Sequence, residues 1–289
     1  DMGLLDINTR EWSKEILNIA GISKDKLPEI HESTDVIGQI TESVAKEIGI
    51  RSGTPVVMGG GDVSCAATGA GMNKNGLYYM SIGSANWVGT YIDTPMLDNG
   101  TKPSCFSHLI PGKYVLHQFM IGGGICYQWI GDNILEFEQE TASKININPY
   151  KYMDILAEGI KPGADNLLFL PYMRGDWSGR YNPNARGAFI GLSLRHTKAH
   201  MVRAVLEGVG FSLRILLEML EKQSIIADEI RVIGGGSRSQ VWRQIIADIC
   251  NTPITRPSMT QETGSLGVAI TAGIGIGIFK DYSILDEIV

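Results

Sequence analysis

Cysteine is scarce in this 289-residue chain. The four residues at 65, 105, 126 and 250 form no CxxC pair and have no histidine at metal-ligand spacing. That argues against a disulfide framework or a zinc module and predicts reduced, packed thiols in a cytoplasmic protein. Charge is sparse too, at 19%, and its balance is acidic: Lys+Arg 25 against Asp+Glu 31, a formal net charge of −6. Such a balance speaks against nucleic acid or an anionic membrane as partner. The most apolar stretch, Gly264–Phe279, is too short and too often broken by glycine to span a bilayer. It is expected to form a buried helix. No G-x-x-x-x-G-K-[ST] loop occurs either, so a P-loop NTPase is excluded.

Glycine, by contrast, is abundant: 35 residues with no period, gathered at Gly59–Gly61, Gly122–Gly124, Gly234–Gly236 and Gly264–Gly277. With 44% hydrophobic residues a sizeable core is expected. Strands and helices alternate, so the fold class is α/β. Expected strands cover Pro55–Met58, Gly76–Ser81, Trp87–Tyr91, Tyr114–Phe119, Asn166–Pro171, Gly187–Leu192, Glu229–Ile233 and Pro253–Thr255. Helices are predicted over Thr9–Ala20, capped by Thr9, over Thr41–Ile48, over Gln240–Cys250, and over His200–Leu220 with Val205, Val209, Leu213 and Leu216 down one side. Residues 137–162 read as a polar, mostly helical insertion. Arg51-Ser52-Gly53-Thr54-Pro55 is the expected boundary between residues 1–50 and 51–289. The opening Asp1-Met2-Gly3-Leu4 reads like the interior of a longer protein.

Three of the glycine clusters follow apolar runs, at Pro55–Met58, Tyr114–Phe119 and Glu229–Ile233. A glycine turn that opens a helix exposes backbone N–H groups, which are natural phosphate ligands. One such turn is ordinary turn chemistry; three, with Ile82-Gly83-Ser84 besides, point to a polyphosphate site. A dinucleotide fold competes, but Gly234-Gly235-Gly236-Ser237-Arg238-Ser239 has serine where the third glycine belongs, and no acidic residue follows to hold a ribose. In the first cluster, Asp62 begins the next helix, where the dipole favours its ionised form. From the residues alone it is either a helix cap or the proton acceptor of a phosphoryl transfer. Trp87, Trp129 and Trp242 read as core, the loop Arg174–Arg180 as solvated, and His196 and His200 as structural.

The segment Gly187-Ala188-Phe189-Ile190-Gly191-Leu192, followed after seven residues by His200-Met201-Val202-Arg203-Ala204-Val205-Leu206-Glu207, resembles the second signature of the FGGY carbohydrate kinases. The preceding Asn182-Pro183-Asn184-Ala185-Arg186 is also in pattern, and within the family the kinases of xylulose look most similar. The resemblance runs from about Gly3 to Asp281. It implies an actin-like (ribonuclease-H-like) ATPase domain, the second of two, with residues 1–50 as the tail of a first domain that lies mostly outside this chain. It implies ATP and Mg²⁺, a ketopentose such as xylulose as acceptor, and little kinase activity from this chain alone. A homodimer is compatible with it.

Carried over by position, the general base, which also contacts the substrate, falls on Asp62. A phosphate loop falls on Gly83 and Ser84, with Ala85 and Asn86 departing from the usual Gly-Thr-Ser-Gly. Gly124 and Gln128 match positions that approach the nucleotide, and Gly235, Gly236 and Ser239 match the adenosine loop. Val63 stands where the family usually has a polar sugar contact. Alternatives are a kinase of ribulose, glycerol or gluconate, a non-catalytic scaffold on the same fold, and, more remotely, a dehydrogenase.

Overall fold

The computed structural model describes residues 3–96, 100, 102–223 and 225–289; Asp1 and Met2 of the opening stretch lie outside them. Its centre is a six-stranded mixed sheet. In chain order the strands are β1 (Leu77–Ile82), β2 (Ala85–Ile92), β3 (Ser104–Ser107), β4 (Tyr114–Ile121), β5 (Glu229–Ile233) and β6 (Ile254–Thr255). Across the sheet they run β6-β5-β1-β2-β4-β3. The β6-β5-β1 side is parallel and the β1-β2-β4-β3 side antiparallel. Parallel strands need covered faces, because helices must carry the crossovers. Both faces here are covered.

Seven helices cover the sheet or wall the site: α1 (Asp62–Gly69), α2 (Gly124–Ile134), α3 (Glu136–Lys144), α4 (Pro149–Glu158), α5 (Lys198–Glu221), α6 (Gln240–Cys250) and α7 (Thr263–Gly275). Strand alternation sends Tyr78, Met80, Ile82, Val88 and Leu116 to one face, where they join Val205, Val209, Leu213 and Leu216 of α5 and Trp242 and Ile246 of α6 in the main core. Leu77, Tyr79, Tyr91 and Val115 face the other way, onto Ala66, Ala67 and Ala70 of α1 and the turn after it. The small residues of α1 let it lie close to the sheet.

Helix α7 in turn lies against α1 almost backbone to backbone. A Cβ added at Gly69 would stand 1.7 Å from the Thr263 carbonyl oxygen, and one at Gly267 would stand 2.1 Å from that of Cys65. No residue but glycine fits at either point. The helix is shorter than the predicted Gly264–Phe279 and is not buried all round, since Val268 is 45% exposed. Gly267 serves the contact with α1, Gly275 brings the end of the helix close to the Thr34 carbonyl, and the side carrying Val268 is open. No described helix is long and apolar enough to cross a membrane.

Several expectations shift by a residue or two; three differ in kind. The first helix is Lys14–Ala20, because Ser13 rather than Thr9 accepts the Ile16 N–H, and Glu11–Trp12 pairs with Leu5–Asp6 as a short ladder. Strand β3 has no counterpart among the expected strands: Ser-Cys-Phe-Ser has no hydrophobic pattern and gains its structure by pairing with Tyr114–His117 of β4. The Arg174–Arg180 loop, expected to be solvated throughout, is exposed at Arg174, Trp177 and Arg180 but tied down at its centre. Asp176 is buried, accepts from the backbone N–H and hydroxyl of Ser178, and pairs with Arg180 at 3.0 Å. The insertion is helical as predicted, comprising α3 and α4.

Candidate active site

The hairpin between β1 and β2 is the point on which two glycine turns close. Gly124 donates its N–H to the Gly83 carbonyl at 2.6 Å, and a Cβ on Gly124 would stand 2.8 Å from that oxygen. A Cβ on Gly234, whose φ is +81°, would stand 2.8 Å from the Ile82 carbonyl oxygen. These two glycines are needed for close approach of backbones. Gly235 differs: nothing lies within 4 Å of where its Cβ would be, so it faces open space. Gly123 is tight for another reason, since a Cβ there would strike the buried side chain of Asn86.

A cavity of about 550 Å³ opens where these turns meet, and Gly83, Ser84, Gly124, Gln128, Gly235, Gly236 and Ser239 all line it. All seven positions that the sequence marks for the nucleotide are therefore on one continuous surface, although they come from separate stretches of chain. Ser84 and Gln128 are exposed to it, and Ser239 is buried. Ser239 caps α6, its hydroxyl accepting the Trp242 N–H at 3.0 Å. A volume of this order suits a nucleotide-sized ligand, and glycine backbone with serine and glutamine side chains suits phosphate oxygens.

Sequence reasoning missed the rest of the lining. Tyr127, Asn148, Tyr150, Lys151, Asp154, Arg238 and Gln261 also face the cavity, four of them from the insertion. Trp242 is core, as predicted, with its indole N–H donated to the Leu206 carbonyl, and it lines the cavity as well. Only adjacency in the chain, of Tyr127 to Gln128 and of Arg238 to Ser239, could have pointed to any of these. The others are brought in by tertiary folding.

Asp62 stands elsewhere. It is the first residue of α1, with Gly61 as the N-cap, and its Oδ1 accepts the adjacent Val63 N–H at 2.8 Å. So Asp62 is not the cap itself. Its side chain is exposed and does not line the cavity. The glycines before it line a separate cavity of about 280 Å³ against Arg10, Glu32 and Ser33 of the N-terminal segment. The same loop is tied down by Met58 N–H to the Asp35 carbonyl and Gly59 N–H to that of Ser33. Val63 is half-buried and packs against the cluster that holds Tyr79, as Trp87 does.

Below α1 the sheet carries polar groups without partners. Among the described residues, Tyr79 Oη, Trp87 Nε1 and both ring nitrogens of His117 are buried and unbonded. Burial pushes the His117 imidazole down to about 4, with the Asp62 charge acting weakly in the other direction. His108 is likewise pushed down to about 4 by burial. Both imidazoles are neutral at pH 7. No cluster of three His, Cys, Asp or Glu side chains suited to a metal occurs among the described residues.

Comparison with known proteins gives this arrangement a context. Residues 79–276 match the model of the FGGY family of carbohydrate kinases, C-terminal domain, and residues 1–69 match that of the N-terminal domain. Gluconokinase of Bacillus subtilis is 32% identical over 288 residues, which is 99% of this chain and 56% of that protein. Xylulose kinase of Staphylococcus epidermidis is 34% identical over 271 residues, 93% of this chain and 52% of that protein. The crystal structure of ligand-bound xylulose kinase from Lactobacillus acidophilus superposes with a TM-score of 0.88 at 29% identity, covering 99% of this chain and 56% of that one. The chain thus spans about half the length of the curated relatives it matches. The mixed sheet with helices on both faces is the actin-like, ribonuclease-H-like fold. With glycine turns converging on a β-hairpin, and with matches to both domain models, the chain belongs to the FGGY family of carbohydrate kinases.

Proposed function

We propose that this chain carries the nucleotide-binding part of an ATP-dependent sugar kinase. The observation that carries the reading is the convergence of Gly83, Ser84, Gly124, Gln128, Gly235, Gly236 and Ser239 on one cavity. The Ser84 hydroxyl, beside the Gly83 and Gly124 turns whose own N–H groups are donated to the Ala85 and Gly83 carbonyls, would bind phosphate oxygens, while Gly235, Gly236 and Ser239 would hold the nucleoside. Gly235, with nothing within 4 Å of its missing Cβ, lets a ligand come close to the main chain. Mg²⁺, bound mainly by the phosphates and water, would supply neutralising charge. We assign residues 51–289 to the nucleotide-binding unit and residues 1–50 to the preceding domain.

In the transfer, a sugar hydroxyl oxygen bonds to the γ-phosphorus while the bond to the β,γ-bridging oxygen breaks and ADP leaves. The hydroxyl proton goes to the carboxylate of Asp62. An exposed carboxylate at a helix N-terminus suits this role: the positive end of the helix favours its charged, proton-accepting form, and the open side admits the sugar. Asp62 and the cavity form one reaction site when acceptor and donor meet between them.

The acceptor is a ketopentose such as xylulose or a sugar acid such as gluconate. Relatives named for each are comparably similar to this chain, at 34% and 32% identity. A coupled ADP-release assay of the complete enzyme against xylulose, gluconate, ribulose and glycerol tests the reading. Turnover with one of the first two, at least about tenfold above the others in kcat/KM, is expected. ATP consumption with none of the four overturns it.

A further inference from the structure

The cavity has one carboxylate among its described lining residues, Asp154. It sits on α4, in the insertion, and is buried there with Met153 and Ala157. Its Oδ1 accepts two hydrogen bonds from distant parts of the chain: Tyr127 Oη of α2 at 2.9 Å and Ser239 Oγ at 2.8 Å. Tyr127 is further held by its ring contacts, 5.3 Å from Trp242 and 5.7 Å from Tyr150 between centroids. A single carboxylate oxygen thus joins the insertion, α2 and the start of α6 at one wall of the cavity.

Two physical arguments say what that wall meets. A triphosphate repels a carboxylate with no cation between them, and Asp154 is bonded to Ser239, in the stretch assigned above to the nucleoside, so the phosphates lie toward Ser84 instead. Asp154 marks the nucleoside end, beside Ser239. Second, an ionised carboxylate accepts through both oxygens, with about four lone-pair sites. Both protein donors use Oδ1, and no described residue donates to Oδ2. Burial raises the pKa of this carboxyl, while the Ser239 and Tyr127 donors act to keep it charged.

The geometry points to Asp154 as a specificity-determining residue whose Oδ2 accepts a hydrogen bond from the nucleoside of the bound nucleotide, either a ribose hydroxyl or the exocyclic amine of the base. This rests on the nucleotide reading given above. The insertion is then part of the nucleotide site rather than a peripheral addition, and it selects the ligand by the donors the ligand offers.

The informative variant is Asp154→Asn. An amide can keep its oxygen toward Tyr127 and Ser239, which leaves NH₂ toward the ligand, donor against donor. Calorimetry of the complete enzyme with non-hydrolysable analogues would use ATP, its 2′-deoxy and 3′-deoxy forms, and the 6-unsubstituted purine ribotriphosphate. Asp154→Asn is expected to weaken the ATP analogue about 10- to 100-fold, the range for a hydrogen bond to a charged group. That penalty should largely disappear with the one analogue lacking the donor, which tells ribose from base. Tyr127→Phe, which removes a support of Oδ1 but leaves Oδ2, should weaken all analogues by less than about threefold. Wild-type affinity in Asp154→Asn overturns the proposal. An equal loss for all four analogues in both variants also overturns it, because that is the mark of a purely structural role. Failure of the wild-type enzyme to bind any of the four would instead sink the nucleotide reading, and this proposal with it.

Discussion

The cavity around Ser84 and Gly235 and the surface around Asp62 differ in how they are built. The cavity is walled on several sides by this chain, from a hairpin, two glycine turns and the insertion. Asp62 is exposed, bonded to its neighbour's N–H, and lines none of that space. Beneath the surface the two are less different: behind the cavity Ser239 and Tyr127 are bonded but the buried amide of Asn86 is not, and the sheet under Asp62 holds unbonded histidine, tyrosine and tryptophan atoms. A site for a nucleotide can be enclosed by one folded unit. On the proposed reading, a site that must accept a second substrate has to remain open on one side, and exposed Asp62 stands at that side.

The sharpest way to separate the two ends is Asp62→Ala in the complete enzyme. Loss of a general base should lower kcat by about 10²- to 10⁴-fold, with the dissociation constant for nucleotide within about twofold of wild type. Stopped-flow turnover together with nucleotide titration checks both, and an unchanged kcat would break the distinction between the ends.

Acid should act next most strongly, and on the Asp62 side. His108 and His117 are depressed to about 4 in the fold, below the roughly 6.5 of an exposed histidine. As pH falls from about 6.5 toward 4, the unfolded chain takes up protons that the folded chain refuses, so stability is lost with acid. Each histidine contributes up to about 1.4 kcal/mol per pH unit within that window, so the pair should cost about 4 kcal/mol near pH 5. Urea melts at pH 7, 6 and 5 measure it, and His117→Leu should remove about half of the slope. No described histidine lines the cavity, so hydrogen exchange should show α1 loosening before α2.

Gly124→Ala tests the other end. Its Cβ would meet backbone, the Gly83 carbonyl oxygen at 2.8 Å, so the two loops must part. Nucleotide affinity should fall about tenfold, at a stability cost of about 1–3 kcal/mol. Both are readable by calorimetry and thermal melting. Ser84→Ala should do least, raising the KM for ATP by about threefold to tenfold through loss of one hydroxyl; steady-state kinetics would show it.

Much of the fold is legible in the sequence because its signals are local. A glycine cluster after an apolar run marks a strand, a turn and a helix start together, and Glu229–Ile233 and Gln240–Cys250 fall where the pattern puts them. Asp154 is not legible in that way. Its partner Ser239 lies 85 positions away, and the intervening chain holds no pattern that pairs them. Strand β3 is hidden for a similar reason: its polar residues become a strand only because β4 offers an edge. Even the glycines divide in a way only the fold reveals. Gly124 and Gly234 serve backbone contact, and Gly235 alone among those three faces empty space.

The near-contact of α1 with α7 at Gly69 and Gly267 has a bearing on how Asp62, the proposed proton acceptor, is held. Two helices interlocked main chain to main chain cannot slide or roll independently, so Asp62 rides on a rigid mount. Any approach toward the nucleotide would have to carry both helices together, like a lever with a fixed tip. The aim of that lever would then be set far from the tip, by two positions with no side chains at all.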